Sequence, residues 1–150
     1  MKLLNEMELT IKAISINEGF ARSCIAAFCV QANPNLDEIT DIKTAVSEAV
    51  TNCVVHAYPG LTGYIYIKVK LYEDYVDIEI IDNGVGIDDF EKAKEPFYTS
   101  KPDEERSGMG FAVMESFMDS LELKKNTEKG LIVKMQKFFN KHNKVAVGQQ

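Results

Sequence analysis

The first part of the chain moves from an alternating to a helical spacing of its hydrophobic residues. In EMELTIKAI (6–14), Met7, Leu9 and Ile11 alternate with polar residues, which predicts a half-buried strand. From Asn17 apolar residues recur at helical spacing, which predicts an amphipathic helix that ends before the NPN breaker at 33–35. The predicted buried stripe of this helix is Phe20, Cys24, Ala27 and Phe28.

A second helix and a hairpin are predicted next. The helix begins near Asp37, a candidate N-cap, and ends at the YPG stop signal of 58–60. Two alternating segments follow, 63–72 and 75–82, and the Glu-Asp pair between them predicts a β-hairpin. Because Glu-Asp is not a favoured pair for a two-residue turn, a longer loop stays open as an alternative. The predicted buried stripe of the helix is Ile39, Ile42, Val46, Ala49, Val50 and Cys53.

Residues 82–110 form a long connection rich in glycine and charge, which a compact domain seldom carries without a functional reason. A short helix around Phe90–Ala93 would shorten it. GFAVMESFMDSLEL (110–123) predicts a further helix, and GLIVKMQKFF (130–139) predicts a closing strand. The predicted apolar set of this third long helix is Phe111, Met114, Phe117, Met118 and Leu121.

The resulting order, β-α-α-β-β-loop-α-β, favours an α+β fold. We expect a two-layer α/β sandwich with a mixed, mostly antiparallel sheet and helices on one face. One domain over 1–140 is expected, followed by a flexible tail at 141–150.

Composition excludes several classes of function. A net charge of −6 and a pI near 5.0 argue against direct binding of nucleic acid, although phosphate-bearing small molecules stay possible. Cys24, Cys29 and Cys53 lie among apolar helical residues without metal or redox spacing, so they are interpreted as reduced core thiols. Neither a signal peptide nor a membrane-spanning segment is recognisable, so we expect a soluble, cytoplasmic protein that does not bind membranes.

Glu48 and Asn52 lie one turn apart on the second helix, so they share a face beside its buried stripe. A carboxylate and an amide oxygen there could hold a hard cation such as Mg²⁺. The alternative is an incidental pair on a partly exposed polar face. His56, one turn further on, is interpreted as a capping or packing residue.

DNGVGI (82–87) directly follows a predicted strand. Asp82 offers an acceptor at the strand's end, and Gly84 and Gly86 would let the backbone pass close to a ligand. A plain loop is the alternative. A calcium loop is rejected because Gly84 stands where that motif needs an oxygen ligand.

ERSGMGFAVM (105–114) places Gly108 and Gly110 where a helix begins, and exposed amides there form an anion site. Arg106 and Lys101 add positive charge for a polyphosphate. An ordinary glycine-rich helix start is the alternative. A Walker P-loop and a dinucleotide fingerprint are both excluded by the spacing.

In their order along the chain, SEAVTN, DNGVGI, YTSKP and ERSGMGF resemble the ATP-binding superfamily shared by gyrase, the Hsp90 chaperone, histidine kinases and MutL. Within it, the chain is most similar to the small anti-sigma factor serine kinases, specifically the sporulation anti-sigma F factors. The resemblance runs from about Asn5 to the final strand and implies the Bergerat-type ATP-binding fold.

The resemblance implies a role for each matching residue. Glu48 would be the general base, Asn52 the Mg²⁺ ligand, and Asp82 the acceptor for the adenine amino group, with Gly84 and Gly86 shaping the pocket. Arg22 would contact the sigma factor and its antagonist. Thr99, Ser100 and Lys101 would lie in a lid over the nucleotide. The residues implied around the phosphates are Arg106, Gly108, Met109 and Gly110.

Two positions depart from the family pattern. Leu131 follows Gly130 where the family often has threonine, so a hydroxyl contact on the nucleotide side is missing. Asn83 stands where an acidic residue is common. Both departures predict weaker ATP affinity rather than loss of binding.

The function implied is that of an anti-sigma factor, a homodimer that captures a sigma F-type factor and uses Mg·ATP to phosphorylate a serine of its anti-anti-sigma partner. A relative of the general stress (sigma B) pathway is one alternative. A nucleotide-gated binding module without kinase activity is another, and the presence of Glu48 argues against it. A detached histidine-kinase ATPase ranks last, because 150 residues hold no second domain with a phosphoacceptor histidine.

Overall fold

A computed structural model describes residues 2–95, 110–127 and 129–140. The strands within these ranges are β1 (Leu3–Lys12), β2 (Tyr64–Tyr72), β3 (Tyr75–Asp82), β4 (Ser120–Lys125) and β5 (Leu131–Phe138). The helices are α1 (Ile16–Cys29), α2 (Leu36–Asn52), α3 (Phe90–Ala93) and α4 (Gly110–Phe117). The tail expected at 141–150 lies outside the described residues.

The described strands form one sheet in the order β1-β2-β3-β5-β4. Every neighbouring pair of described strands is antiparallel, so the sheet is simpler than the mixed sheet expected. In the central register Ile67 lies opposite Ile80, and Ile80 lies opposite Val133. The α+β fold class is confirmed.

One face of the sheet and the helices above it form the core. Along β2, β3 and β5 alternate residues are buried, because successive side chains point to opposite faces. Full burial of each such aliphatic side chain stabilises the fold by about 1.5–3 kcal/mol. The opposite face carries charged residues paired across strands, such as Glu8 opposite Lys68 and Lys68 opposite Glu79. The two layers of the predicted sandwich are therefore a helical layer and a sheet whose outer face is polar.

The predicted stripe of α1 is wrong by about one position. Phe20 is 53% exposed, whereas the fully or nearly buried side chains are Ala21, Ile25, Ala26 and Cys29. The two stripes are adjacent on the helix, and contact with α2 selects the one made of smaller residues. Phe20 is left on the surface.

The third long helix is shorter than predicted, and a strand was missed. Helix α4 ends at Phe117, whose carbonyl oxygen accepts a hydrogen bond from Lys137 Nζ at 2.8 Å. Asp119 N then donates to Gln136 O at 2.8 Å, which starts the pairing of β4 with β5. Leu121 continues the helical spacing from Phe117, and this coincidence concealed the alternation that buries Leu121 and Leu123 in β4.

The N-cap of α2 is Asn35 rather than Asp37. Asn35 and Glu38 form a capping box in which Asn35 Oδ1 accepts from Glu38 N and Glu38 Oε1 accepts from Asn35 N, both at 2.8 Å. Glu38 Oε2 also accepts from the backbone N–H of Asn140. One buried carboxylate therefore joins the start of α2 to the end of β5.

The predictions for the hairpin and the cysteines hold with small changes. Strands β2 and β3 are joined by Glu73 and Asp74 alone, so the turn is no longer than the sequence suggested. Tyr72 and Tyr75 stack beside this turn with ring centroids 4.4 Å apart. All three cysteines are free thiols, although Cys24 is only partly buried. Among the described helices, none is both long and apolar enough to cross a membrane.

Replacing Glu38 with alanine should lower the free energy of unfolding by roughly 2 kcal/mol, because two backbone N–H groups lose their acceptor. Urea denaturation followed by circular dichroism measures this change. Asp37→Ala is the matched control: Asp37 is exposed in the same first turn, and its loss should cost less than about 1 kcal/mol. Equal effects of the two substitutions would show that the hydrogen bonds of Glu38 to Asn35 and Asn140 do not stabilise the fold.

Candidate functional site

Helix α2 presents Glu48 and Asn52 on its partly exposed side, as predicted. Its buried side consists of Ile42, Ala45, Val46, Ala49 and Val50. Both polar residues are half-buried and lie one helical turn apart. Glu48 lies in a groove between α1 and α2, and Asn52 lies in a cleft at the C-terminal end of α2.

The cleft brings together residues that are far apart in the sequence. Asn52, Asp82 and Gly86, all predicted site residues, line it together with residues that were given no role there. The latter are His56, Ala57, Ile87 and Leu131. The prediction that the end of α2 and the DNGVGI loop form one site therefore agrees with this geometry.

Directly after Asn52 the helix widens into a π turn over Cys53–Ala57, in which Cys53 and Ala57 are buried. Such wide turns inside helices often mark functional sites. The carbonyl oxygen of Ala57 accepts a hydrogen bond from Val85 N at 2.8 Å. The π turn therefore fastens the end of α2 to the DNGVGI loop, which places Asn52 beside Asp82.

Asp82 is only 2% exposed and lies at the last position of β3. Its Oδ1 accepts from the backbone N–H groups of Gly84 at 2.9 Å and Leu131 at 3.3 Å. Its Oδ2 accepts from the thiol of Cys53 at 3.6 Å. Burial raises the pKa of the Asp82 carboxyl above its ordinary value, and these hydrogen bonds offset only part of that increase.

Cys53 has a role that sequence reasoning missed. Its thiol is fully buried, and burial, followed by the charge of Asp82, raises its pKa well above the ordinary value. A protonated thiol is a donor, which suits the acceptor-only carboxylate beside it. The sequence marked Cys53 only as an apolar core position, since its partner lies 29 residues away.

Glycine is required where the loop passes the backbone of its neighbours. A Cβ on Gly84 would overlap the carbonyl group of Ala57, and a Cβ on Gly130 would overlap the carbonyl oxygen of Asp82. Gly130 also has a φ of 106°, which side-chain-bearing residues rarely adopt. Gly84 therefore lets the DNGVGI loop approach Ala57 closely, and Gly130 lets the turn before β5 approach Asp82 in the same way.

Two further side chains hold the loop and were not predicted. The Tyr58 hydroxyl donates to Tyr64 O at 2.7 Å and accepts from Asn83 N at 2.8 Å. Asn126 Nδ2 donates to Asp82 O at 2.9 Å and to Asn83 Oδ1 at 2.8 Å. The amide at Asn83, one of the two departures from the family pattern, is thus used inside the protein. The sequence marked YPG only as a helix stop, and it predicted no role for Asn126.

Arg22 lies at the groove that contains Glu48. Arg22 Nη1 is 3.2 Å from Glu18 Oε2 and 3.5 Å from Ser47 Oγ, and Ser47 Oγ lies 3.2 Å from the same Glu18 oxygen. This network joins α1 to α2. Arg22 is 40% exposed at its side chain, so part of the guanidinium faces the groove and solvent.

Several predicted residues lie outside the described part of the chain: Thr99, Ser100, Lys101, Arg106, Gly108 and Met109. Gly110, the last of the set implied around the phosphates, is the first described residue of α4 and is buried.

The described residues could hold a magnesium ion only together with ligands from elsewhere, such as phosphate oxygens. The described ranges contain no group of three or more His, Cys, Asp or Glu side chains that could hold a metal ion. The amide oxygen of Asn52 is a hard ligand of the kind Mg²⁺ accepts, and Mg²⁺ commonly takes one or two protein ligands plus phosphate oxygens and water. Asn52 therefore suits an ion that arrives with a phosphorylated ligand.

Replacing Gly84 with alanine should lower the free energy of unfolding by about 2–3 kcal/mol, as expected when a rigid backbone contact is overpacked. Gly19→Ala is the matched control. A Cβ there meets only Arg22 Nη2, at 3.6 Å, within α1, so that variant should gain up to about 1 kcal/mol. Chemical denaturation compares the two. A Gly84→Ala protein as stable as the wild type would contradict the close approach to Ala57.

Comparison with known proteins identifies the family of this chain. The family model of the histidine kinase-like ATPase domain matches residues 16–137. A protein named anti-sigma F factor from Caldanaerobacter subterraneus subsp. tengcongensis is 49% identical over 142 residues, which is 95% of this chain and 99% of that protein. Another of the same name, from Clostridium botulinum (strain Eklund 17B / Type B), is 54% identical over 137 residues, covering 91% and 96% of the two chains.

A solved structure supports the fold. The crystal structure of the RsbU and RsbW domains of a Mycobacterium tuberculosis protein has a TM-score of 0.62 at 17% identity, and the match covers 89% of this chain and 32% of that one. At such low identity the similarity concerns the fold alone. The sequence relatives show the family as well as the fold. By their identity and coverage, the chain belongs to the anti-sigma F factor family, within the histidine kinase-like ATPase domains.

Proposed function

We propose that this chain binds ATP with Mg²⁺ in the cleft between Asn52 and Asp82, and transfers the γ-phosphoryl group to a serine of an anti-anti-sigma protein. As an anti-sigma factor of the F type it would also bind a sporulation sigma factor, as a homodimer in the cytoplasm. The observation that carries the ATP site is the buried carboxylate of Asp82, which lines the cleft beside Asn52.

Asp82 suits recognition of an adenine base. An ionised carboxylate only accepts hydrogen bonds, so it pairs with an amino group and repels a carbonyl at the same place. Ile87 and the side chain of Leu131 supply apolar surface beside it, as a purine ring requires. Leu131 replaces the family threonine but still donates its backbone N–H to Asp82.

Asn52 would hold the Mg²⁺ ion, which in phosphoryl transfer offsets the negative charge of the phosphates. The amides at the start of α4, where Gly110 lies, suit a phosphate chain because the positive end of the helix dipole points there. The rest of the proposed site is implied by the family resemblance. Contacts to the phosphates would come from Arg106, Gly108 and Met109, and the lid over the nucleotide would contain Thr99, Ser100 and Lys101.

Glu48 would act as the general base from the groove between α1 and α2. The serine hydroxyl of the partner would give its proton to Glu48 while its oxygen bonds to the γ-phosphorus and the bond to ADP breaks. Arg22 lies in the same groove, which supports its implied role as a contact for protein partners. Phosphorylated partner, ADP and a protonated Glu48 are the products.

One observation favours a second function, a nucleotide-gated binding module without kinase activity. Within the described residues, Glu48 lines the groove with Arg22, and the cleft of Asn52 and Asp82 is lined without it. If no partner brings a serine to the point where the groove and the cleft meet, nucleotide would act only as a conformational ligand. The relatives named anti-sigma F factor favour the sporulation pathway over the stress pathway.

Replacing Glu48 with glutamine should leave the Kd for Mg·ATP nearly unchanged and slow phosphoryl transfer by about 100-fold or more, the scale of a lost general base. Mass spectrometry of the anti-anti-sigma partner after incubation with Mg·ATP measures the transfer. Glu8→Gln, on the exposed outer face of the sheet, is the control and should transfer at the wild-type rate. Full transfer by Glu48→Gln would remove Glu48 from the base role. No transfer by the wild type despite ATP binding would favour the binding module.

Replacing Asp82 with asparagine should weaken ATP binding without lowering the thermal stability of the protein. ATP affinity should fall by roughly 100-fold, because a charge-assisted hydrogen bond is lost and an amino group then faces the amino group of adenine. At pH 7 the melting temperature should equal or exceed that of the wild type, since burial raises the pKa of Asp82 and the ionised form therefore costs stability.

The pH dependence follows from the direction of that shift. The ionised carboxylate costs stability in full above its raised folded-state pKa, and the cost declines as the pH falls from that value toward the ordinary pKa of an exposed carboxyl. The difference in melting temperature between Asp82→Asn and the wild type should therefore shrink on acidification. A scanning calorimetry series across pH tests this, with exposed Asp88→Asn as the control. A difference that widens on acidification would contradict the raised pKa.

A further inference from the structure

The hydrogen bonds of Asp82 leave a defined place for a ligand. A carboxylate has about four lone-pair sites, two on each oxygen. Backbone N–H groups of Gly84 and Leu131 use Oδ1, and the Cys53 thiol uses Oδ2. Among the described residues no further donor reaches Asp82, so the second site of Oδ2 is the one that a ligand's donor can occupy.

The two oxygens are held by different means. Both donors to Oδ1 are backbone groups, fixed by the DNGVGI loop and by β5. Within the described residues, the only donor to Oδ2 is a side chain, Cys53, which α2 and its π turn place against the end of β3. Because the carboxylate is planar, the backbone bonds to Oδ1 and the thiol bond to Oδ2 together set the direction in which Oδ2 faces the cleft, and Cys53 makes the side-chain contribution.

Position 131 makes this dependence sharper. Leu131 is 2% exposed, lines the cleft and offers only its backbone N–H to Asp82. A buried carboxylate oxygen without a partner costs free energy, so Oδ2 needs a side-chain donor. Cys53 is the residue that supplies it.

We propose that Cys53 is a positioning residue for base recognition: its thiol aims Asp82 Oδ2 at the cleft, so that discrimination in favour of a 6-amino purine depends on Cys53. The inference rests on the proposed function, since it needs a purine nucleotide in the cleft. Cys53 itself touches no ligand, because it is fully buried beneath the carboxylate.

The experiment compares two ligands that differ only in the group Asp82 would recognise. Isothermal titration calorimetry gives the Kd of Mg·ATP and of Mg·purine riboside triphosphate, which lacks the 6-amino group. For the wild type the ratio of the two Kd values should be about tenfold or more in favour of ATP, as a charge-assisted hydrogen bond provides.

Three substitutions at Cys53 distinguish the loss of its hydrogen-bond donor from the loss of its side-chain volume in the core. In Cys53→Ala the thiol is gone, so ATP affinity should fall by about fivefold to tenfold. Affinity for the purine analogue should stay nearly constant, and the ratio should collapse. Cys53→Val also removes the donor but fills the site, and should give the same low ratio. Cys53→Ser keeps a hydrogen-bond donor and should restore most of the wild-type ratio.

Cys29→Ala is the matched control, since Cys29 is an equally buried thiol on α1 that makes no hydrogen bond to Asp82. It removes the same sulfur from the core and should keep the wild-type ratio. An unchanged ratio in Cys53→Ala and Cys53→Val, or a Cys53→Ser protein that behaves like them, would overturn the role of Cys53. A wild type that binds neither nucleotide would instead overturn the proposed function, and this inference with it.

Discussion

The buried carboxylate at the end of β3 is the constraint around which the candidate site is arranged. A charge that is almost fully removed from water is tolerated only when its oxygens are hydrogen-bonded. Asp82 meets this condition with donors from three elements: the DNGVGI loop, β5 and the end of α2. The raised pKa shows that the compensation is incomplete. A donor group from a ligand would complete it, so the same cost that strains the free protein favours binding.

Close backbone approach is what lets those three elements meet. Gly84 lies against Ala57 and Gly130 lies against Asp82, at separations that leave no room for a Cβ. The π turn after Asn52 supplies the carbonyl that receives Val85 N, and Tyr58 and Asn126 fix Asn83 from opposite sides. Each contact restricts the position of Asp82 relative to Asn52. Hydrogen bonds and close backbone contacts thus hold the described part of the site together.

The sequence predicted those features whose signal is local and missed those that depend on distant partners. Helical spacing placed Glu48 and Asn52 on one side of α2, and the spacing of Gly84 and Gly86 after a strand marked the loop. Cys53 and Asn126 meet Asp82 from 29 and 44 positions away, so no short window contains the interaction. The same limit explains β4: alternation over six residues was hidden by an apolar residue at helical spacing, and only pairing with β5 decides the matter.

The positions of Glu48 and Asn52 along α2 have a consequence for how the proposed site would work. Asn52 lies in the cleft, and Glu48, one turn earlier on the same side of the helix, lies in the groove with Arg22. In the proposed function a nucleotide in the cleft would be recognised by Asp82, whereas a protein partner would meet the groove at Arg22, whose side chain is 40% exposed. Because general-base catalysis needs the hydroxyl within hydrogen-bond reach, the proposed protein substrate would have to extend from the groove to the cleft. Correct docking of the partner and transfer of the phosphoryl group would then be coupled, and small-molecule hydroxyls or water would be poor acceptors.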